Sequence, residues 1–143
     1  MNKKSVLFLC TGNSCRSQMA EAFCQQYHKE NLTCYSAGVE KSTHIDPLAV
    51  KVMSELGIDI SSKKPKATSE LPIKEFDYVV TLCSHANETC PYFPAKTKKT
   101  HHGFDDPPVI TEGLKNEEKI LEQYRRVRDE IKSFILTDPL FRN

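Results

Sequence analysis

The first apolar run of this chain leads directly into a loop of small and polar residues, and this junction constrains the fold most strongly. Residues 5–9, SVLFL, are almost wholly apolar, which is typical of a strand buried on both faces of a parallel sheet. The letters CTGNSCR follow, and apolar residues then recur at helical spacing as Met19, Ala20, Phe23 and Tyr27. A strand, a loop and a helix in this order predict the start of a β-α-β crossover.

The same stretch has a superficial likeness to a lipoprotein export signal, because two lysines precede the run and a cysteine follows it. A secretory core needs about 7 to 15 apolar residues, whereas Val6 to Leu9 are enough only for a strand. No later stretch approaches the roughly 18 consecutive apolar residues of a membrane span. We therefore expect a cytoplasmic protein that makes no membrane contact.

Strands and helices are predicted to alternate along the rest of the chain. Further strands are predicted at Leu32 to Ser36, Asp77 to Leu82 and Lys98 to His102. Asp46 is well placed to cap a helix that starts at Pro47 and ends before Gly57. A long amphipathic helix is predicted from Glu112 onward, with its apolar stripe at Ile120, Tyr124, Val127, Ile131 and Phe134.

This order predicts an α/β fold in which residues 1–143 form a single domain. We expect a doubly wound four-stranded parallel sheet with helices on both faces. Ligands of such sheets bind beyond the carboxyl ends of the strands, which is where Cys10 falls.

Composition narrows the classes of function. A formal net charge of +1 gives little electrostatic reason to expect nucleic-acid binding. A chain of 143 residues buries a core without disulfide staples, so its six cysteines indicate metal binding or redox chemistry in a reducing compartment. Lysines cluster at residues 63–66 and 96–99; such runs are usually solvated surface, and the alternative is steering of an anion or docking of a partner.

The loop from Cys10 to Arg16 has the residues of an oxyanion cradle. Backbone N–H groups of residues 11–16 can converge on a tetrahedral anion beside the start of a helix, and Arg16 can grip two of its oxygens. Gly12 and Asn13 tolerate the left-handed backbone that a tight cradle needs. The same field is expected to lower the pKa of Cys10 and make it a nucleophile. The alternative is an incidental cysteine in a strand-to-helix turn.

Two more constellations carry candidate chemistry. The letters GFDDPP supply Asp105 and Asp106, either of which can protonate a leaving group, although a plain turn is equally typical of Asp and Pro.

Cys83 and Cys90 lie seven positions apart, which is about 10 Å on a regular helix and too far for a disulfide. The pair can bond only if a short helix between them unwinds. Inert buried thiols, or zinc ligands together with His85, are the alternatives.

The motifs CTGNSCRSQMAE, YSAG, DIS at residues 59–61, VVTLC and FDDP occur in the order found in the low-molecular-weight protein tyrosine phosphatase superfamily. The chain resembles this superfamily over nearly its whole length, and the pair of later cysteines resembles that of its thioredoxin-coupled arsenate reductases. The resemblance implies reduction of arsenate to arsenite by a relay with successive disulfides Cys10–Cys83 and Cys83–Cys90, in the service of arsenic detoxification. Five residues are then catalytic: Cys10, Arg16, Cys83, Cys90 and Asp106.

The resemblance also implies the ligands and partners. The oxyanion would lie on the loop residues Thr11, Gly12, Asn13, Ser14, Cys15, Arg16 and Ser17. Phosphate or sulfate would compete with arsenate, and thioredoxin would act as the external reductant. We expect no bound cofactor, no metal, and a monomer. Asp106, directly before Pro107, is preferred to Asp105 as the general acid, and Cys15 is taken as a structural or accessory thiol.

Some relatives bind potassium near this loop with residues matching Asn13, Glu21 and Ser36. Here the letters SSKKPKAT carry lysines where two further oxygen ligands would align, so a lysine ammonium can take the cation's place. We therefore predict no potassium. Cys24 and Cys34 are predicted to be core residues.

Two other functions remain open at this stage. A low-molecular-weight protein tyrosine phosphatase needs Cys10, Arg16 and Asp106 but not the later cysteines, and its substrate would lie against an aromatic residue such as Tyr92, Phe93 or Phe104. A non-enzymatic oxyanion or zinc sensor needs neither a nucleophile nor an acid.

Overall fold

The computed structural model describes residues 3–88, 90 and 96–141. Its sheet has four parallel strands in the order β2-β1-β3-β4. These are β1 (Lys4–Cys10), β2 (Leu32–Gly38), β3 (Tyr78–Thr81) and β4 (Lys98–His101). Because β1 is an inner strand with both neighbours paired, its carboxyl end, Cys10, lies at the middle of the sheet edge. The predicted four-stranded parallel sheet is confirmed.

Within the described residues, five helices connect and cover these strands. They are α1 (Arg16–His28), α2 (Pro47–Ser54), α3 (Ser84–Glu88), α4 (Pro107–Ile110) and α5 (Glu117–Thr137), and short 3-10 turns span Thr68–Glu70 and Pro139–Phe141. No helix in the described ranges is long and apolar enough to span a membrane.

Alternate residues of β1 are buried in separate clusters on the two faces of the sheet. Val6 and Phe8 pack in the cluster that includes buried residues of α1, α2 and α5. Leu7 and Leu9 pack in the other cluster, with Ala86 of α3. Both faces are therefore covered by helices, as the apolar run of β1 predicted.

The start of α2 agrees with the prediction from the sequence, whereas the start of α5 differs from it. The carboxylate of Asp46 accepts a hydrogen bond from the Leu48 N–H at 2.9 Å, so the predicted cap is confirmed. The prediction of one long helix from Glu112 is wrong at its start. Gly113 has a φ of +80°, which interrupts the helix, and Asn116 caps α5 instead.

A disulfide joins Cys24 of α1 to Cys34 of β2, with 6.2 Å between their Cα atoms. Both cysteines are buried, as predicted for core residues. The sequence alone does not indicate this bond, because the spacing of the two cysteines does not show that α1 places Cys24 next to Cys34 of β2.

Candidate active site

The loop after β1 directs its carbonyl groups toward one neighbouring segment. The carbonyls of Cys10, Thr11, Gly12 and Ser14 accept hydrogen bonds from the N–H groups of residues 39, 40, 42 and 46. Within the described part of the chain, no N–H group of residues 12–15 donates to a backbone carbonyl. The loop therefore keeps its donors for a ligand, as an anion cradle requires.

These donors border a cavity of about 300 Å³ at the carboxyl end of β1. Cys10, Arg16 and Asp106 line it together, as do the loop residues Thr11, Gly12, Ser14 and Cys15. The structure thus brings the predicted nucleophile, arginine and acid to one place. We call this cavity and the loop of residues 10–16 the cradle.

Asn13 and Ser17 of the predicted cradle lie behind it. The side chain of Asn13 is fully buried and donates to Ser17 Oγ at 2.8 Å and to Ser36 Oγ at 3.0 Å. Asn13 has a φ of +58°, as the sequence predicted, whereas Gly12 is not in this left-handed conformation. A Cβ at Gly12 would contact Ser42 Oγ, which is a side-chain atom that can rotate away.

Gly38, at the end of β2, supports the cradle from below and was missed by the sequence analysis. A Cβ built on Gly38 would lie 2.7 Å from the carbonyl oxygen of Thr11 and 2.9 Å from the nitrogen of Asn13. The YSAG motif contains this glycine, so its place after a strand was the available signal. The backbone of the cradle can approach β2 this closely only at a residue without a side chain.

Two lysines occupy the region where a cation would lie in some relatives. The Nζ atoms of Lys63 and Lys66 lie 3.6 and 3.9 Å from Glu21 Oε1, and the hydroxyl of Ser36 donates to the same carboxylate. Lys66 Nζ also lies 3.5 Å from Asn13 Oδ1. Two ammonium groups beside one buried carboxylate do not fit a bound potassium ion, because like charges would repel it.

Arg16 links the cradle to the acid loop. Its side chain is almost fully buried, donates to the carbonyl of Phe104 at 3.0 Å and forms an ion pair with Asp106 at 3.3 Å. Its buried Nε has no hydrogen-bond partner among the described residues, so it is available to an oxyanion.

The geometry separates the two aspartates of GFDDPP. Asp106 lines the cradle, whereas the carboxylate of Asp105 pairs with Arg126 of α5 at 3.0 Å. Burial raises the pKa of Asp106, although Arg16 acts in the opposite direction. A raised pKa keeps more of the proton that a general acid must deliver near neutral pH.

Cys10 and Cys83 form a coupled pair of thiols. The hydrogen bond with Cys83 and burial raise the pKa of Cys10 well above its ordinary value, although Arg16 opposes them. The hydrogen bond from Cys10 lowers the pKa of Cys83 to about 5 against the effect of burial. The prediction of a lowered pKa at Cys10 is therefore wrong for this arrangement, because the pair shares a proton and the charge lies on Cys83.

The sulfur of Cys83 is held by groups from two segments. The Thr11 hydroxyl lies 3.2 Å from it, and the N–H of Ala86 in α3 donates to it at 3.3 Å. A short helix does lie between the two later cysteines, as the sequence predicted, since α3 spans Ser84–Glu88. Cys90 lies just beyond this helix and packs against the cluster that contains Cys10 and Cys83.

Some predicted features lie elsewhere. Tyr92 and Phe93, proposed as aromatic contacts of a phosphotyrosine, are outside the described residues. Phe104 stacks on His102 and packs against Phe134, and it does not line the cavity of the cradle. No cluster of three or more metal-ligating side chains occurs in the ranges that the structure describes.

A buried cysteine and arginine at an anion cradle, with a carboxylic acid opposite and a parallel sheet below, define a thiol enzyme of the phosphatase type. The family model for low molecular weight phosphotyrosine protein phosphatase matches residues 5–136, and the chain belongs to this family.

Relatives within and near this family carry a more specific name. An arsenate reductase of Halalkalibacterium halodurans is 47% identical over 137 residues, which cover 96% of each chain. A solved arsenate reductase in the oxidized state superposes with a TM-score of 0.75 at 30% identity, covering 92% of this chain and 93% of that one. A thioredoxin-dependent arsenate reductase of Corynebacterium glutamicum superposes with a TM-score of 0.62 at 29% identity, covering 95% of this chain and 63% of that one.

Proposed function

We propose that this chain is an arsenate reductase that converts arsenate to arsenite with a relay of three cysteines and is regenerated by thioredoxin. The observation that carries the proposal is the second thiol, Cys83, hydrogen-bonded to Cys10 at the cradle. Hydrolysis of a phosphate ester needs one nucleophilic thiol, whereas a two-electron reduction needs two thiols within bonding reach. The similarity to enzymes named arsenate reductase supports the same choice.

In the first step, arsenate binds to the N–H groups of the cradle and to Arg16. The Cys10 sulfur passes its proton to the sulfur of Cys83, its hydrogen-bond partner, and attacks arsenic. Asp106 protonates the departing hydroxide, which leaves as water, and a Cys10–arsenic(V) adduct forms. The raised pKa of Asp106 suits this proton transfer.

In the second step, Cys83 attacks the sulfur of the Cys10 adduct. The sulfur–arsenic bond breaks, and its electron pair stays on arsenic, which is reduced from As(V) to As(III) and leaves as arsenite. The two thiols are oxidised to a Cys10–Cys83 disulfide. The proton that Cys83 received from Cys10 leaves with arsenite, and the Thr11 hydroxyl and the Ala86 N–H beside the Cys83 sulfur favour its thiolate during the attack.

In the third step, Cys90 attacks Cys83 and releases Cys10 as a thiolate. We expect this step to require α3 to unwind, because this helix lies between the two cysteines in the chain. Thioredoxin then reduces the Cys83–Cys90 disulfide by thiol–disulfide exchange and restores the reduced enzyme.

The test is arsenate-dependent consumption of NADPH with thioredoxin and thioredoxin reductase. We expect Cys10→Ser, Cys83→Ser and Cys90→Ser each to abolish multiple turnover. The control is the double variant Cys24→Ser/Cys34→Ser, which removes the disulfide outside the cradle and is expected to keep turning over. Full turnover by Cys83→Ser or Cys90→Ser would contradict the relay.

A phosphatase activity is a second candidate, favoured by the joint presence of Cys10, Arg16 and Asp106 in the cavity. It is tested by hydrolysis of p-nitrophenyl phosphate. Retention of this hydrolysis by Cys83→Ser and Cys90→Ser, together with loss of arsenate reduction, separates the two activities in one set of variants. Rapid hydrolysis by the unaltered chain without arsenate turnover would favour the phosphatase.

A further inference from the structure

A second and larger cavity, of about 1020 Å³, adjoins the cradle. Segments 41–50 and 61–70 form its walls, and we call it the basic cleft. Lys41 and Ser42 line both the basic cleft and the cradle, so the two spaces meet at these residues. A solute that reaches the cradle from this side passes Lys41.

The walls of the basic cleft carry more positive than negative charge. Lys41 pairs with Glu70 at 3.0 Å, and Lys63 and Lys66 share the single carboxylate of Glu21. The ammonium group of Lys64 has no acidic partner among the described residues. The four lysines of the cleft are therefore only partly neutralised, and a dianion there is attracted.

The cradle itself does not supply this attraction. The charge of Arg16 is offset by Asp106 at 3.3 Å, and the carboxylate of Glu40 also lines the cavity. The thiolate of the Cys10–Cys83 pair adds a further negative charge. The cradle holds an oxyanion at short range through directed donors, and its charged side chains add little net attraction at longer range.

We propose that the basic cleft is the entrance for the oxyanion and that Lys41 and Lys64 steer the dianion into the cradle. The proposal rests on the proposed function for its substrate, arsenate, and it extends to phosphate, which has the same charge and shape. A cleft lined by charges of one sign raises the local concentration of an ion of the opposite sign and its rate of association. This effect falls with ionic strength.

The first test measures kcat/KM for arsenate against ionic strength. Lys41→Met and Lys64→Met are expected to lower kcat/KM about threefold at 10 mM salt, with little change near 0.5 M, while kcat stays the same. Lys29→Met is the matched control, because it removes the same charge from an exposed residue at the end of α1. Equal losses in Lys29→Met, or losses that persist at high salt, would overturn the proposal.

The second test reverses the sign of the change. Glu70→Gln keeps a side-chain oxygen that can accept from the Ala67 N–H but removes the charge that pairs with Lys41. It is expected to raise kcat/KM about twofold at low salt. A decrease at low salt would contradict the steering role of Lys41.

A third measurement does not depend on arsenate reduction. The dissociation constant of inorganic phosphate, measured by calorimetry, is expected to rise in Lys41→Met and Lys64→Met at low salt and to be unchanged in Lys29→Met. If phosphate binding depends on Lys41 and Lys64 while arsenate is not reduced, the result contradicts the proposed function and supports the basic cleft as the entrance. If phosphate binding does not depend on these lysines, the result contradicts the proposal that the basic cleft is the entrance, whether or not arsenate is reduced.

Discussion

At the scale of single residues, the site depends on which sulfur holds the proton. Cys10 and Cys83 share one hydrogen bond, and the groups around Cys83 favour the thiolate form of its side chain. The Thr11 hydroxyl lies 3.2 Å from that sulfur, and the N–H of Ala86 in another segment donates to it. The resting pair thus has its second nucleophile already ionised, while the first must still lose its proton.

Removal of Cys83 is expected to lower the pKa of Cys10. In Cys83→Ser, the partner that raises the Cys10 pKa most strongly is replaced by a hydroxyl that can donate to a thiolate, while Arg16 still lowers it. Thiolate absorbance near 240 nm, followed from pH 4 to 10, measures the change. The unaltered chain should show a transition near pH 5 from Cys83, and this transition should be absent in the variant. An unchanged Cys10 titration would contradict the coupling.

Gly38→Ala is expected to displace the cradle. The nearest atoms to the added methyl group would be loop backbone at 2.7 to 2.9 Å, which cannot rotate away as a side chain can. We expect about 1–3 kcal/mol of lost stability and at least tenfold weaker phosphate binding, measured by chemical unfolding and calorimetry.

Gly57→Ala is the matched control for this change. Its φ of +77° makes alanine strained, but a Cβ there contacts nothing within 4 Å. It should lose about 1 kcal/mol of stability and bind phosphate normally. Equal binding by the two variants would contradict the supporting role of Gly38.

At the scale of elements, α3 is the part that must change shape. It has five residues and one buried side chain, Ala86, so little packing holds it. A hydrogen bond from β3 restrains it, since the hydroxyl of Thr81, which also lies 2.8 Å from His101 Nδ1, donates to Asn87 Oδ1 at 3.3 Å. A helix this short has little intrinsic stability, which suits a segment that unwinds.

Thr81→Val is expected to speed the attack of Cys90 on Cys83. Valine keeps the shape of threonine but cannot donate to Asn87. The free energy needed to unwind α3 is therefore expected to fall by about 1 kcal/mol, which makes the attack about fivefold faster. After a single turnover with arsenate, acid quenching, alkylation and mass spectrometry measure the Cys83–Cys90 disulfide over time. Thr100→Val, on exposed β4, is the control. No acceleration relative to that control would contradict the restraint.

At the scale of the whole molecule, the sheet divides the core into two clusters with different tasks. The cluster with α1, α2 and α5 is the larger and contains the Cys24–Cys34 disulfide. The cluster on the other face contains Cys10 and Cys83, with Cys90 packed against it. The structural sulfurs and the candidate relay are therefore kept on opposite sides of the sheet.

The Cys24–Cys34 disulfide is expected to stabilise the fold without affecting turnover. It closes a loop with a sequence separation of 10 residues, for which chain-entropy arguments give about 2.5 kcal/mol. Chemical unfolding of Cys24→Ser/Cys34→Ser, compared with the oxidised chain, measures this difference. Reduction of the unaltered chain should reproduce most of the loss, and equal stability in all three samples would contradict a structural role.

Local sequence patterns predicted the four strands and the helices α1, α2 and α5, because apolar periodicity and helix caps depend on neighbouring residues. The run at residues 5–9, the Asp46 cap and the spacing of Cys10 and Arg16 each specify their own segment without distant partners. The same holds for the short helix between Cys83 and Cys90.

Interactions between residues that are distant in the chain became visible in the three-dimensional arrangement alone. Asp106 faces the cradle while Asp105 is held by Arg126, although the two are neighbours in sequence. Cys83 takes the charge because its contacts come from Thr11 and Cys10, more than seventy positions away. The reason is physical: a pKa, a close approach or a disulfide depends on distances through space, which local pattern does not fix.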